Sequence, residues 1–299
     1  MSASAVVTGG AGFIGAHLVE ALVRDGVRVI VLDDFSSGLR SNLAAVVDRI
    51  EVVEGGVEDP EACDRAVTAA GDAGVVYHLA SRVSVVESME KPDLYRAVVL
   101  DGTRHVLSAA ERTGCRRVVL ASSCSVYGDA SPPVGESGML DPQSPYAALK
   151  AEAEAACLEA NVETVCPRFF NVYGPRQRAD SPYSGVIAIF AQLAADGVAP
   201  TIFGDGEQTR DFIHVSDIVR GLRLAGNSDR VGAGEPINFG TGRGTSVATL
   251  ARLLGCGEPR HEAAREGEIR HSWASTSAAL RLLGFDSKID LERGLSTLD

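Results

Sequence analysis

The sequence contains no C-x-x-C pair, no cluster of histidines and cysteines, and no surplus of positive charge. Its six cysteines (63, 115, 124, 157, 166 and 256) are scattered, a pattern that suits reduced thiols in the cytoplasm and excludes a zinc-ribbon spacing. The formal charge of −12 argues against nucleic acid or an anionic membrane as partner, and an anionic substrate would need local arginines. No apolar run reaches the length of a membrane span. The chain enters a strand-like run at once, so no signal peptide is expected. Internal repeats, low-complexity tracts and obvious linkers are also absent. What is left is 299 residues, 45% of them hydrophobic, enough for one large domain or two small ones.

The organising stretch is S-A-V-V-T-G-G-A-G-F-I-G at Ser4 to Gly15. Ala5 to Val7 read as a buried parallel strand. Gly9, Gly12 and Gly15 recur every third residue, and Phe13 and Ile14 open a helical pattern through Leu18, Leu22 and Val23. Such glycines permit a tight turn, close approach of backbone to a pyrophosphate, and tight helix–strand packing. The phosphates would sit at the helix N-terminus. A second apolar run ends in Asp33, roughly 20 residues beyond the last glycine, where a carboxylate accepts from the ribose 2′-OH of NAD and repels the 2′-phosphate of NADP. The spacing therefore predicts a dinucleotide site that prefers NAD.

Strand-like runs at Ile50–Val53, Val75–Leu79, Arg117–Ala121 and Val162–Cys166 alternate with helical stretches around Glu61–Ala70, Leu94–Arg112 and Tyr146–Glu159. This alternation predicts an α/β fold, a Rossmann-type doubly wound parallel sheet with helices on both faces. Residues 1–170 are expected to form the NAD-binding domain, with some later segments returning to it. Residues 171–299 are expected to form mainly a smaller substrate-binding lobe over the sheet's carboxyl edge. Val57, after the third strand, would lie beside the adenine; Leu79 and Ala80, ending the fourth, would line the pyrophosphate or nicotinamide ribose. His78 is read as a satisfied structural histidine.

Ser122 to Ser125 place hydroxyls at the sheet's carboxyl edge, and Tyr146-Ala147-Ala148-Leu149-Lys150 puts Tyr and Lys on one helix face. An unperturbed tyrosine, with a pKa near 10, is a poor base at neutral pH. A lysine ammonium one turn away, with the positive nicotinamide ring, is expected to favour the phenolate. Tyr146 then takes a proton from a sugar hydroxyl as its carbon gives a hydride to NAD, with Ser123 on the same oxygen.

These pieces, with P-R-F-F-N-V-Y-G-P-R at Pro167–Arg176, F-G-D-G-E-Q-T-R-D-F at Phe203–Phe212 and L-R-L-L-G-F near the end, make the chain resemble an extended short-chain dehydrogenase/reductase of the nucleotide-sugar epimerase type over essentially its whole length. The resemblance implies tightly held NAD, a UDP-sugar substrate and a homodimer joined through two long helices per subunit. It implies catalytic roles for Ser123, Tyr146 and Lys150, and places Asn171, Arg210 and Arg265 on the nucleotide diphosphate, with Ser84 also at the substrate. Gly56, Val99 and Ser275 depart from the family's usual Asp, Asn and Asp. Similar dehydratases and decarboxylases carry an acid directly after the catalytic Ser/Thr, where this chain has Cys124 and Ser125, so the resemblance favours simple C4 epimerisation. Arg178, in Y-G-P-R-Q-R-A, matches an arginine that helps hold the sugar carboxylate in UDP-glucuronate 4-epimerases; Arg82 is a further candidate near the pocket. UDP-glucuronate is thus the expected substrate, with UDP-glucose the alternative. A non-catalytic NAD-sensing protein would be expected to lack Tyr146 or Lys150.

Overall fold

The computed structural model describes residues 4–71, 74–179, 185–265 and 269–298. Its main sheet contains β1 (Ser4–Thr8), β2 (Arg28–Asp33), β3 (Ile50–Glu54), β4 (Val75–His78), β5 (Arg117–Leu120), β6 (Glu163–Phe169) and β7 (Ala233–Phe239), in the order β7-β6-β5-β4-β1-β2-β3. An eighth, two-residue strand, Ser122–Ser123, pairs with β6. The pairings β2–β3, β1–β2, β1–β4 and β4–β5 are parallel, with Val6 opposite both Ile30 and Val76. Val6, Val7, Val29, Ile30 and Val31 are fully buried, as expected of central strands covered on both faces. The α/β architecture expected from the alternation is the one observed. The chain winds from β1 to β2 and β3, then crosses back to β4 on the other side of β1. That reversal is the topological switch point at which such sheets bind ligands.

The flanking helices follow local signals. Helix α1 (Phe13–Arg24) turns Ala16, Leu18, Val19, Leu22 and Val23 inward. Helix α2 (Pro60–Ala70) starts at a proline behind Asp59, whose carboxylate accepts from the Glu61 N–H at 3.0 Å. Helix α3 (Gly102–Thr113) continues from Pro92–Tyr95 through a π-helical turn, Arg96–Asp101, and ends at Gly114 in the left-handed region. Helix α4 (Pro145–Glu159) combines a proline start, a Ser144 cap accepting from Ala147 N–H at 3.2 Å, and an alanine-rich interior.

The chain divides into two compact units. The first is Met1–Val126, Pro142–Arg168 and Val219–Ile237; the second is Tyr127–Asp141, Phe169–Ile218 and Asn238–Asp299. In the first unit, the buried Arg117 bonds the Glu163 carboxylate and the carbonyls of Ala225, Ser228 and Val231 at 2.6–3.0 Å, tying the 219–237 segment to the sheet. Among the described residues the second unit holds three small sheets and a core around Tyr173, Ile187, Phe190, Ile202, Phe212 and Leu250. No helix among the described residues is long and apolar enough to cross a membrane.

Candidate functional site

At the switch point, β1 passes through the glycine turn into α1. Gly9 adopts φ +66°, and a Cβ there would lie 2.8 Å from the Ala80 nitrogen; a Cβ on Gly15 would strike the Gly9 carbonyl oxygen. Both positions require glycine because backbone packs on backbone. Gly12 caps α1 and has no side chain of its own to bond the first-turn N–H groups, the groups an anion would use. Phe13 and Ile14 begin the helix, and Leu79 N–H donates to the Thr8 carbonyl at 3.2 Å. Asp33, at the end of β2, is buried and accepts from Ala11 N–H and Phe35 N–H, each at 2.8 Å. Burial raises its pKa against these two donors. Its carboxylate thus braces the turn as well as standing where a ribose would be read. A glycine cradle, an open helix start and a carboxylate at the second strand end fit a dinucleotide.

His78 is held in a closed chain. Thr103 Oγ1 donates to the Val99 carbonyl at 2.6 Å, so it accepts from His78 Nε2 at 3.1 Å. His78 Nδ1 then accepts from Thr8 Oγ1 at 2.7 Å, and that hydroxyl in turn accepts from Ala80 N–H at 3.1 Å. Every donor finds one acceptor, which requires a neutral imidazole; burial pushes its pKa down to about 3. His78 is a strut that seats residues 79 and 80 over Gly9. Val57, expected beside the adenine, is buried in the core, and its carbonyl accepts from His105 at 3.0 Å. The carboxylate of Glu58 stands against Gly56 where a side chain would begin.

The proposed catalytic trio lies within the first unit. Ser123 hydrogen-bonds the Tyr146 phenol, and Lys150 Nζ donates to the Ala121 carbonyl at 2.7 Å, 6.0 Å from the Tyr146 ring centroid. The expected phenolate draws on the lysine and the nicotinamide ring together; in the chain by itself burial dominates. Burial pushes Tyr146 up to about 12, the Ser123 hydrogen bond pulling only partly the other way. Burial also pushes Lys150 down to about 8. The i, i+4 spacing reports the cation but not the desolvation, and here desolvation wins. Lys150→Ala should cut turnover by about tenfold or more and move the activity optimum to higher pH, because loss of a cation makes the phenol harder to ionise. An optimum at unchanged pH would remove Lys150 from that role.

Several supporting residues escaped the sequence reading. Tyr95 is fully buried and meets the Tyr146 ring edge-on at 6.4 Å between centroids. Val99, in place of the family's Asn, is buried with Tyr95, Leu100, Tyr146 and Leu149, so a polar contact is replaced by packing. Ser84 Oγ accepts from Glu87 N–H at 3.0 Å and caps a short helix. In the second unit Asn171 lies on a strand paired in parallel with Phe212–His214, and Arg210 pairs with Thr245 and Ser272. The guanidinium of Arg265 stacks 3.9 Å from the Phe203 ring centroid, and Arg178 is exposed. Asp211, next to Arg210, accepts from Thr241, Gly242 and Ala274, fixing that strand. Ser275, the third departure, serves through its backbone, its N–H donating to the Val134 carbonyl at 2.8 Å. Among the described residues no group of His, Cys, Asp or Glu could hold a metal ion.

Comparison with known proteins follows the same lines. The model of the NAD dependent epimerase/dehydratase family matches residues 5–240. The chain is 36% identical to a UDP-glucose 4-epimerase of Mycolicibacterium smegmatis, covering 97% of this chain and 96% of that protein. It is 34% identical to a UDP-N-acetyl-alpha-D-glucosaminuronate decarboxylase of Bacillus cytotoxicus, covering 84% and 79%. Among solved structures, the UDP-glucose 4-epimerase of Thermotoga maritima with UDP-glucose superposes with a TM-score of 0.91 at 34% identity, covering 98% of this chain and 96% of that one.

Proposed function

Because the chain belongs to the NAD dependent epimerase/dehydratase family, we propose that it is a UDP-sugar 4-epimerase working through a transient 4-keto sugar, with UDP-glucuronate its preferred substrate. The observation that carries this reading is the Ser123–Tyr146 hydrogen bond with Lys150 one turn away, followed at positions 124 and 125 by Cys and Ser. An elimination needs a further acid or base near C5 and C6, and a thiol and a hydroxyl are poor substitutes for a carboxylate there.

The cofactor is NAD, which when bound accepts the C4 hydride and returns it to the opposite face. Gly9, Gly12, Phe13, Ile14, Gly15, Asp33, Val57, Leu79 and Ala80 would hold it, with Tyr146 and Lys150 lining its reactive end. Tyr146 removes the proton of the 4-hydroxyl as C4 is oxidised and gives it back when the ketone is reduced, so no proton is gained or lost. Ser123 holds the same oxygen throughout. Asn171, Arg210 and Arg265 would bind the diphosphate, Ser84 the sugar side and Arg178 the carboxylate. The two cationic side chains at the diphosphate offset the acidic balance of the whole. A homodimer, packed through the 92–113 stretch and α4 of each subunit, belongs to the same reading; Leu94 and Leu158 there are exposed.

The second reading, UDP-glucose as preferred substrate, is favoured by the two UDP-glucose 4-epimerases described above. Incubating the protein with each UDP-sugar and separating the epimers decides between them. The purified protein should carry NAD without added cofactor, measurable as nucleotide released on denaturation. An apo protein that binds NADP more tightly than NAD would overturn the reading of Asp33.

A further inference from the structure

Helix α4 carries Tyr146, Lys150 and Glu154 at intervals of four residues, hence on one ridge, and all three side chains are buried. A buried carboxylate is costly unless it is paired and its remaining lone pairs are used. Glu154 meets both conditions. Its Oε1 accepts from Arg168 Nε at 2.9 Å and its Oε2 from Arg168 Nη2 at 2.6 Å, a forked contact with β6. Oε1 also accepts the hydroxyl of Ser122. Ser122 lies between Ala121, whose carbonyl receives Lys150 Nζ, and Ser123, which bonds the Tyr146 phenol. One carboxylate therefore joins the helix bearing Tyr146 and Lys150 to the strand end that offers Ser123 to the one and the Ala121 carbonyl to the other, with β6 as the anchor.

We propose that the buried Glu154–Arg168 pair, through Ser122, is a positioning device that sets Ser123 and Lys150 against Tyr146. The proposal deepens the functional reading above and rests on its assignment of Tyr146 and Lys150. A buried ion pair is weak evidence for stability, since apolar replacements are often as stable. Its use here is to hold the Ser122–Ser123 strand end against the helix that bears the phenol and to keep a negative charge one turn from Lys150.

Lys150 is faced from its own helix by Tyr146, Glu154 and Cys157, from β4 by His78, from the end of β5 by the Ala121 carbonyl with Cys124 close by Tyr146, and from β6 by Cys166, with Arg168 of that strand on Glu154. His78 is neutral, and the hydrogen bond with Cys157 keeps the Cys166 thiol protonated. Glu154 is the one carboxylate among these groups, so its charge supports the lysine's.

The test uses Glu154→Gln, which keeps shape and removes charge. The chain has only three lysines, at 91, 150 and 288, so carbon-13 labelling of lysine gives a readable NMR titration of Lys150. Lys150 should lose its proton at a pH lower by about half a unit or more. The kcat should fall about tenfold or more with KM for the UDP-sugar within about twofold, and both limbs of the pH–rate profile should move to lower pH, since a net positive change favours both deprotonated forms. An unmoved Lys150 titration, with or without loss of activity, overturns the proposal. If Glu154→Gln does not fold, Ser122→Ala keeps the ion pair and cuts only the link to the strand. It should lower kcat roughly threefold or more at unchanged KM, and wild-type kcat in that variant overturns the proposal. A wild-type protein that turns over no UDP-sugar defeats the functional reading instead, while the lysine titration still decides the positioning.

Discussion

Tyr146→Phe should reduce kcat to below a few per cent of wild type while leaving UDP-sugar binding nearly intact. The substitution removes one oxygen from a ring packed among Tyr95, Val99, Leu100 and Leu149, so the apolar contacts that hold the helix stay in place. What it removes is the proposed base, the hydroxyl that hydrogen-bonds Ser123. Positioned general bases contribute roughly 10²–10⁴-fold, and His78 cannot substitute because both of its ring nitrogens are committed. Calorimetric binding alongside steady-state kinetics separates the two effects. A variant that keeps more than a few per cent of kcat would mean that Tyr146 is not the base.

The second large effect concerns Arg178. Oxidation of UDP-glucuronate at C4 creates a β-keto acid, which loses CO2 readily when its C–CO2 bond lines up with the carbonyl π system. An epimerase must hold the carboxylate out of that alignment while the ring turns over. A guanidinium making two parallel bonds to the carboxylate is suited to this. Arg178, exposed in the loop after the strand Asn171–Tyr173, is our candidate. Arg178→Ala should cost UDP-glucuronate roughly 2–4 kcal/mol in kcat/KM, the range for truncating one partner of a charge pair that bound substrate shields from water. Turnover of UDP-glucose, if the protein has any, should hardly change. Equal losses on both sugars would assign Arg178 to the loop or the diphosphate, and the UDP-glucose reading would then take the lead.

The glycine turn, Asp33, the first six strands and the Tyr146–Lys150 face were legible because each is a local pattern: period, spacing, or a residue type at a strand end. Strand β7 was not, since Gly234 and Pro236 interrupt it and it is held by partners distant in sequence. The strut Thr8–His78–Thr103 and the Glu154–Arg168 pair were illegible for a related reason. Each is a polar group satisfied by another 14 to 70 residues away, and only the assembled sheet brings them together. The π-helical turn at Arg96–Asp101 leaves no clear mark in the period of the sequence. The Tyr146 case shows the limit most plainly. Spacing placed a lysine beside the phenol, but the burial that pushes the phenol to about 12 is a property of the packed fold.

The most direct test of the central claim is to incubate the purified protein, without added NAD, with UDP-glucuronate deuterated at C4 and follow the sugar by proton NMR in ordinary water. A 4-epimerase that returns its own hydride should yield a mixture of both C4 epimers. Deuterium should be retained at C4, and no CO2 or free reduced cofactor should accumulate. Formation of a pentose with release of CO2, or loss of the label from C4, would contradict the account.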